Sequence, residues 1–387
     1  MKNSFFIIFG IIIFFYIYPF LIYPLILYLL TFFKKSLKIQ IIDKYEELPS
    51  VSLIISAYNE ASSIQKKIEN SINLDYPLDK VQIIIISDGS TDETANLAKS
   101  YQHPNIHVVE LNERKGKTYA QNIGASISKG EIFVFSDANT ILERDALKVI
   151  VSCLLSSEKI GCVSGNLVYI KRKRSIGEPE YQKYETLIKI LESRFFSSIG
   201  VNGAFYALRK SDFIQLPENI ISDFVLPLEI YRKYEKITVL CEQARCLEEI
   251  PYKDNDLSGV IQRKSRILSR GLIGMLYVKE LLNPLKYPLM SFELFSHKFL
   301  RWTSGFLLFL AYFLPLFYFD SLGKLIFGFE NLLIVLICIF YLLSKKNSKN
   351  CPLLSAVIYF LLVNISQLVG WYYLISRKTP TTWATKR

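Results

Sequence analysis

Hydrophobic positions in this chain of 387 residues follow two patterns, and the first is long and uninterrupted. Residues 4–33 contain no charged side chain. A helix of about 20 apolar residues crosses the hydrocarbon core of a bilayer, so this segment is long enough to span it with tilt. Three more apolar runs lie at 302–319, 325–343 and 352–375. We therefore predict a transmembrane segment at 1–33, kinked at Pro19 and Pro24, and transmembrane helices within 301–376.

The second pattern lies between these segments and consists of short apolar runs that alternate with helical stretches. The runs are rich in β-branched residues and lie at 51–56, 81–87, 105–110 and 131–136. Near-continuous apolar strands between helices are typical of a parallel sheet whose two faces are both covered. The pattern therefore predicts an α/β domain over residues 48–255.

Two local patterns indicate helices inside this domain. Ile64, Ile68 and Ile72 recur every four residues, so they share one face of a helix. Ser90 and Glu93 have the spacing of a capping box, which predicts that the next helix opens at Ser90.

Basic residues beside the apolar segments predict the orientation in the membrane. Lys34, Lys35 and Lys38 follow the first segment, and the run at 345–349 follows the third. Lys and Arg collect on the cytosolic side, so both runs place the α/β domain in the cytosol of an integral, plasma-membrane protein. The basic residues of 377–387 would then lie outside, against the rule, and this conflict leaves the side of the last residues open.

Residues 256–300 are basic and amphipathic. Arg263, Lys264, Arg266 and Arg270 stand among Ile, Leu and Met. Helices of this composition often lie in the plane of the membrane interface. A helix packed on the α/β domain is the alternative, and the two are compatible.

Composition narrows the classes of partner. An apolar fraction of 51% and a mean hydropathy of +0.25 are too high for a wholly soluble protein of this length. A net charge of +11 suits membrane lipids or phosphorylated substrates. No RNA- or DNA-binding motif stands out, so we expect no nucleic-acid partner.

Polar clusters follow three of the predicted strands, at 56–60, 87–92 and 136–139. Each cluster alone could be an ordinary turn. In an open parallel sheet, however, ligands bind beyond the carboxyl ends of the strands, and these three clusters would share that edge. Together they favour a binding site over three unrelated turns.

The residue types in these clusters indicate a metal and phosphates. Asp137 and Asn139 are two apart in a turn and can aim oxygens at one hard cation such as Mg²⁺ or Mn²⁺. Asp88 could bind a base or ribose, or share the metal. Lys117 could meet phosphate, or belong to a solvated basic turn. Its run is not a P-loop, because the first glycine is absent.

These residues carry a resemblance to the family 2 glycosyltransferases, in particular the membrane-embedded branch with the cellulose, chitin, hyaluronan and bacterial polysaccharide synthases. The matching pieces run in the family's order over most of 50–275 and are SLIISAYNE (52–60), SDGSTDET (87–94), KGKTYAQNIG (115–124), FSDANT (135–140), ESRFFSSIGVNGAFYALRK (192–210), ISDFVLPLEI (221–230) and QRKSRILSRGL (262–272).

The resemblance implies a GT-A fold, that is, a mixed and mainly parallel sheet with helices on both faces, and a cytosolic nucleoside-diphosphate-sugar donor such as a UDP-sugar. By motif position it implies these roles: Ala57, Tyr58, Glu60 and Asp88 hold the nucleotide, Asp137 and Asn139 match the DxD metal motif, Gly203 and Ala204 lie on the acceptor side, Asp223 is the general base, and Arg266 lies near the diphosphate.

Asp223 would then take the acceptor hydroxyl's proton during a single, inverting displacement. The alternative is that Asp223 caps the helix that follows it. Two residues depart from the family's pattern: Asn139 replaces an acid, and Ile267 replaces the tryptophan of QxxRW. The missing tryptophan puts long-chain polymerisation in question.

Three hypotheses follow. The first is transfer to an extracellular polysaccharide or glycolipid, and the second is transfer of one sugar to a polyprenyl-phosphate or diacylglycerol lipid. The third is a transporter or receptor with a nucleotide-binding domain. We expect four spans without a charged residue deep inside, which argues against the third hypothesis.

Overall fold

The computed structural model describes residues 2–34, 41–42, 44–170, 177–249, 256–317, 321–346 and 352–379. Its centre is an eight-stranded sheet in the order β3-β2-β1-β4-β7-β6-β8-β5. The strands are β1 (Val51–Ala57), β2 (Val81–Ser87), β3 (Ile106–Glu110), β4 (Ile132–Asp137), β5 (Ile141–Leu142), β6 (Ile160–Ile170), β7 (Phe205–Arg209) and β8 (Ile237–Glu249).

The four strands predicted from the apolar runs, β1 to β4, form a parallel half-sheet. Val51 is in register with Val81 of β2 and with Ile132 of β4. β3 extends the sheet parallel to β2. Every residue of β1 except Ser56 and every residue of β2 except Gln82 is buried, as expected for strands with helices on both faces.

The other half of the sheet reverses direction. β7 pairs antiparallel with β4 and with β6, β6 pairs parallel with β8, and β5 pairs antiparallel with β8. This reversal places the start of β7 against the end of β4, because Ser136 pairs with Phe205. The chain before β7 therefore lies beside the polar cluster that follows β4.

Helices cover both faces of the sheet and flank it at both ends of the chain. They are α1 (Lys2–Ile17), α2 (Tyr23–Thr31), α3 (Ile64–Ile72), α4 (Thr94–Lys99), α5 (Lys117–Ser126), α6 (Ala146–Leu155), α7 (Glu178–Phe195), α8 (Ser222–Tyr234), α9 (Leu257–Tyr277), α10 (Pro288–Glu293), α11 (Leu300–Phe313), α12 (Ser321–Lys346) and α13 (Pro352–Ile375). α3, α4 and α6 pack into one core, and α5, α8 and α9 pack into the core on the opposite face. The predicted α/β class is confirmed.

The capping-box prediction is wrong. α4 begins at Thr94, and Glu93 precedes it without a side-chain cap. Ser90 is instead tied to the loop after β1, where its Oγ accepts the backbone N–H of Asn59 at 3.2 Å. Asp92 accepts the N–H of Thr94 at 3.0 Å and so takes the place predicted for Ser90.

Among the residues that the structure describes, three continuous helical stretches are long and apolar enough to cross a membrane by length and composition: Phe5–Thr31, Pro288–Phe317 and Leu354–Ile375. The first contains a π-helical turn at Tyr18–Ile22, where the predicted kink residue Pro19 lies, because proline removes a donor from the helical ladder. The second begins inside the region that we assigned to interface helices.

The predicted span at 325–343 falls within α12, which is not one of these three stretches. α12 carries Glu330 in its apolar region. The expectation that no charged residue lies deep in the four predicted spans is therefore wrong.

Candidate active site

A cavity of about 340 Å³, here called the strand-end cavity, opens at the carboxyl ends of β1, β2 and β4. All residues singled out from the sequence line it: Ala57, Tyr58, Glu60, Asp88, Lys117, Asp137, Asn139, Gly203, Ala204, Asp223 and Arg266. The reversal of the sheet explains the convergence, since it carries the segment before β7 to the end of β4. The roles assigned to these residues stay predictions.

One side of the cavity is built around Asp88. Its two carboxylate oxygens accept the backbone N–H groups of Lys115 and Gly116, each at 2.8 Å. These bonds fix the loop that leads into α5, where Gly116 has a φ of 101°. Any further ligand of Asp88 would use the remaining lone pairs of the carboxylate.

A flat platform lies next to this loop. The guanidinium carbon of Arg114 is 3.6 Å from the centre of the Tyr58 ring. Stacked aromatic and guanidinium groups of this kind are surfaces on which a nucleotide base can stack. Our sequence interpretation selected Tyr58 but missed Arg114, although a cation directly before Lys-Gly-Lys was a usable signal.

The centre of the cavity holds carboxylates and one lysine. Asp137 forms an ion pair with Lys117, whose ammonium also donates to the Gly203 carbonyl at 2.8 Å. Asn139 donates its amide N–H to Glu248 at 2.9 Å. Glu248 is buried, and burial, with a further contribution from Asp137, raises its pKa.

Glu248 was missed by sequence reasoning. It lies on β8, over a hundred positions from Asn139, and reaches the site only because β8 pairs with β6 and β5. Its spacing in the sequence carries no signal of this placement. Asn139 stands where the family's pattern has an acid, and Glu248 places a carboxylate beside it.

This arrangement fits a hard divalent cation. Such ions prefer oxygen ligands and often take one or two protein carboxylates, with substrate phosphates and water completing the shell. Within the described ranges, no group of three or more His, Cys, Asp or Glu side chains could hold a metal. Asp137, Glu248 and the Asn139 oxygen would therefore bind a cation together with a phosphate-bearing ligand.

Asp223 is not a helix cap. α8 has Ile221 as its N-cap residue, in extended conformation and without a side-chain cap bond. Asp223 follows in the first turn and faces the cavity. Its neighbour Ser222 donates to Gln121 at 2.5 Å and anchors this turn to α5. The capping alternative for Asp223 is therefore wrong, and the residue lines the cavity instead.

The basic face of α9 closes the cavity. Arg263, Lys264, Arg266 and Arg270 all line it, which agrees with the alternative of a helix packed on the α/β domain. Arg263 and Lys264 lie 3.4 and 3.1 Å from the same oxygen of Glu178. Burial lowers the pKa of Arg270, opposed by the nearby Asp223. The cavity thus combines a cationic wall with a carboxylate centre.

Gly203 is packed so closely that a side chain would disturb two charged groups. A Cβ at this position would lie 2.5 Å from the Asp223 carboxylate and 3.1 Å from the Lys117 ammonium. Both groups end flexible side chains, so we expect Gly203→Ala to fold. A displacement of about 1 Å in a reacting group can cost a hundredfold in rate, so kcat should fall by about ten- to a hundredfold.

Steady-state kinetics and a melting temperature test this expectation. The matched control is Gly10→Ala, at a position where nothing lies within 4 Å of the added Cβ. Wild-type kcat in a folded Gly203→Ala protein would show that the close approach is without consequence.

Comparison with known proteins shows which sequences and folds this chain is similar to. Residues 52–216 match the family model described as Glycosyl transferase family 2. The poly-beta-1,6-N-acetyl-D-glucosamine synthase of Staphylococcus aureus is 30% identical over 207 residues, which are 50% of each chain. The Staphylococcus epidermidis enzyme of that name is 27% identical over 217 residues, 52% of each chain. The chain therefore spans about half the length of these curated relatives.

A solved structure shares nearly the whole fold. The mannosyltransferase PcManGT from Pyrobaculum calidifontis, in complex with GDP-Man and Mn²⁺, superposes with a TM-score of 0.71 at 19% identity. The match covers 96% of this chain and 99% of that one. The GT-A-type fold flanked by apolar helices, which the resemblance implied, is confirmed.

Proposed function

We propose that the chain is a membrane-bound, inverting glycosyltransferase, because residues 52–216 match the family model described as Glycosyl transferase family 2. It transfers a sugar from a nucleoside-diphosphate-sugar to a saccharide or lipid acceptor at the membrane. One observation carries the proposal: a single cavity joins the polar ends of β1, β2 and β4 to Asp223 and to the basic face of α9.

The donor is proposed to lie along the strand ends. The Tyr58–Arg114 platform would stack on the base, and Ala57, Glu60 and Asp88 would surround the ribose and the phosphates. Arg266 would meet the departing diphosphate, because guanidinium groups bind phosphate oxygens with two parallel hydrogen bonds.

Asp223 is proposed to act as the general base. It would accept the proton of the acceptor hydroxyl while that oxygen bonds to the anomeric carbon and the bond to the diphosphate breaks. Attack from the face opposite the leaving group inverts the anomeric centre. The cationic wall of α9 would stabilise the negative charge that develops on the diphosphate.

Asp137, Asn139 and Glu248 are proposed to hold Mg²⁺ or Mn²⁺. Such an ion supplies Lewis-acid stabilisation of the diphosphate. The two carboxylates would hold the cation near the phosphates, and Asn139 holds Glu248 in place through its N–H. The Mn²⁺ named with PcManGT supports the same choice of metal.

The relatives named as poly-beta-1,6-N-acetyl-D-glucosamine synthases make an N-acetylglucosamine polymer the first product to test. The nucleotide of the donor is a separate question, since GDP-Man is named with PcManGT. We propose a plasma-membrane location with the catalytic domain in the cytosol, supported by the basic residues that follow the first and third apolar segments.

A donor panel tests the proposal. Detergent-solubilised protein with Mn²⁺ would be incubated with labelled UDP- and GDP-sugars and membrane lipid extract, and the product would be separated by size. We expect one kind of nucleotide-sugar in the panel to act as donor, and Asp223→Asn to lower product formation by at least about a hundredfold. Nucleotide binding with neither transfer nor donor hydrolysis would contradict the proposal and favour a receptor or transporter.

A further inference from the structure

A second cavity of about 280 Å³ lies against the first, between helices of the catalytic domain and the candidate membrane spans. We call it the helix cavity. All three candidate spans contribute to its wall, through Phe20, Arg301 and Gln367 among others. The two cavities share six lining residues: Gln182, Val201, Ile221, Asp223, Lys264 and Ile267. The proposed base therefore stands on the border between them.

The wall of the helix cavity carries more positive than negative charge. Its cationic residues are Lys189, Lys264, Lys298 and Arg301, and its acidic residues are Glu185 and Asp223. His297 also lines it and lies between two carboxylates, with Nδ1 2.6 Å from Glu192 and Nε2 3.3 Å from Glu185. Lys264 forms an ion pair with Glu178, and Glu178 also forms an ion pair with Arg263.

Glu185, one of the acidic residues of this wall, already has several basic partners. Glu185 contacts Arg301 and His297 and lies 3.9 Å from Lys298. Burial alone would raise the pKa of Glu185, but Arg301, His297 and Lys298 hold it well below its ordinary value. Burial lowers the pKa of Lys189 to about 8, so this lysine remains largely protonated at neutral pH. Glu185 thus faces several buried basic groups, of which His297 is shared with Glu192, while Lys264 lies beside Glu178.

Arg301 has a hydrogen-bond donor that no acceptor among the described residues uses, although its guanidinium carbon lies 5.4 to 5.6 Å from the ring centres of Phe20, Tyr181 and Tyr184. One of its terminal nitrogens, Nη2, donates to the Tyr181 hydroxyl at 2.8 Å and to Glu185. The other, Nη1, is buried and has no hydrogen-bond partner among the described residues. A buried guanidinium N–H without an acceptor is costly, so a ligand oxygen at this point would be strongly favoured.

The rest of the wall is apolar and adjoins the candidate spans. Phe20, Phe224, Trp302 and Val363 line it together with the cations. A ligand that suits both parts has an anionic head and a hydrocarbon tail. Guanidinium and ammonium groups together favour phosphate as that head.

We propose that the helix cavity binds the phosphate or diphosphate group of a lipid-anchored acceptor. The inference rests on the proposed function and names the acceptor class. The phosphate stays bound near Arg301 and Lys298 as an anchor. A hydroxyl of the same acceptor then reaches Asp223, gives its proton to that carboxylate, and bonds to the anomeric carbon as the nucleoside diphosphate leaves.

Calorimetric titration of the full chain in detergent tests the site with three probes: farnesyl phosphate, farnesol and inorganic phosphate. We expect farnesyl phosphate to bind at least tenfold more tightly than farnesol or inorganic phosphate, because only farnesyl phosphate has both an anionic head and a hydrocarbon tail. Equal binding of inorganic phosphate would overturn the lipid assignment. Equal binding of farnesol would show that the cavity does not recognise an anionic head group, and would also overturn the proposal.

Arg301→Met removes the unused donor and should weaken farnesyl phosphate binding by about ten- to a hundredfold. The matched control is Arg194→Met on α7, which removes a surface ion pair with Glu242 and should change nothing. Lys298→Met is the second variant should Arg301→Met fail to fold, and the same loss is expected. Wild-type affinity in either folded variant would overturn the inference.

These outcomes are separable from those of the proposed function. Intact farnesyl phosphate binding without any sugar transfer would refute the glycosyltransferase proposal alone. Transfer that continues while Arg301→Met binds farnesyl phosphate as the wild type does would refute the acceptor site alone.

Discussion

Replacing Asp223 by asparagine is expected to lower kcat by about a hundredfold to ten-thousandfold, the range that a general base contributes. Asparagine has nearly the same shape but cannot accept the acceptor's proton at neutral pH. Asp223 follows the N-cap of α8 rather than capping it, so the helix should start at the same residue. Donor affinity should stay within a few-fold of wild type, because the loss concerns the transition state.

The measurement is single-turnover transfer with donor affinity determined in parallel. Asp79→Asn is the matched control, since Asp79 is exposed in the turn before β2, at the end of the sheet away from the cavity. A wild-type rate in Asp223→Asn would remove Asp223 from the mechanism. A rate lost together with the melting temperature would indicate a structural role instead.

Replacing Asp137 by alanine is expected to lower turnover by at least about a hundred- to a thousandfold, the usual cost of losing one stabilising group at a developing charge. Asp137 is one of two carboxylates beside Asn139, and its loss also removes the ion pair with Lys117, which keeps only its hydrogen bond to the Gly203 carbonyl among the contacts described above. Glu248→Gln should produce a smaller loss of the same kind, because Asp137 and Asn139 remain.

Electron paramagnetic resonance of Mn²⁺ in the presence of UDP or GDP measures the cation directly. We expect its affinity to fall by about tenfold or more in both variants, as for loss of a charged ligand worth about 1.4 kcal/mol or more. Glu249→Gln is the matched control, an exposed neighbour of Glu248 on β8. Unchanged Mn²⁺ affinity in Glu248→Gln would remove Glu248 from the metal site.

The sequence was sufficient for the parallel half-sheet and for the strand-end cavity. Ile and Val fill β1 and β2, and polar residues begin where these strands end, so both the strands and their functional ends can be recognised locally. Asp223 needed the family resemblance, since by itself an aspartate at the start of a helix also suits a cap.

Residues brought in by long-range pairing could not be predicted. Glu248 depends on the pairing of β8, and Arg270 depends on how α9 packs across the cavity. The capping box failed for a related reason. The Ser90 hydroxyl accepts a hydrogen bond from Asn59, more than thirty residues earlier, and this bond replaces the predicted cap of the following helix. The cations of the helix cavity come from three separate helical stretches, α7, α9 and Pro288–Phe317, so no short window of the sequence contains them all.

The ion pair between Lys117 and Asp137 has a consequence for the order in which ligands bind. Without ligands, the lysine already neutralises the aspartate, so a divalent cation must compete with an internal counter-ion. Asp137, if it held the cation, would free the Lys117 ammonium, which could then meet the donor's phosphates. Metal and nucleotide should therefore bind with positive cooperativity, each raising the affinity for the other by the same factor. Lys117→Met should weaken this coupling while strengthening the binding of Mn²⁺ alone.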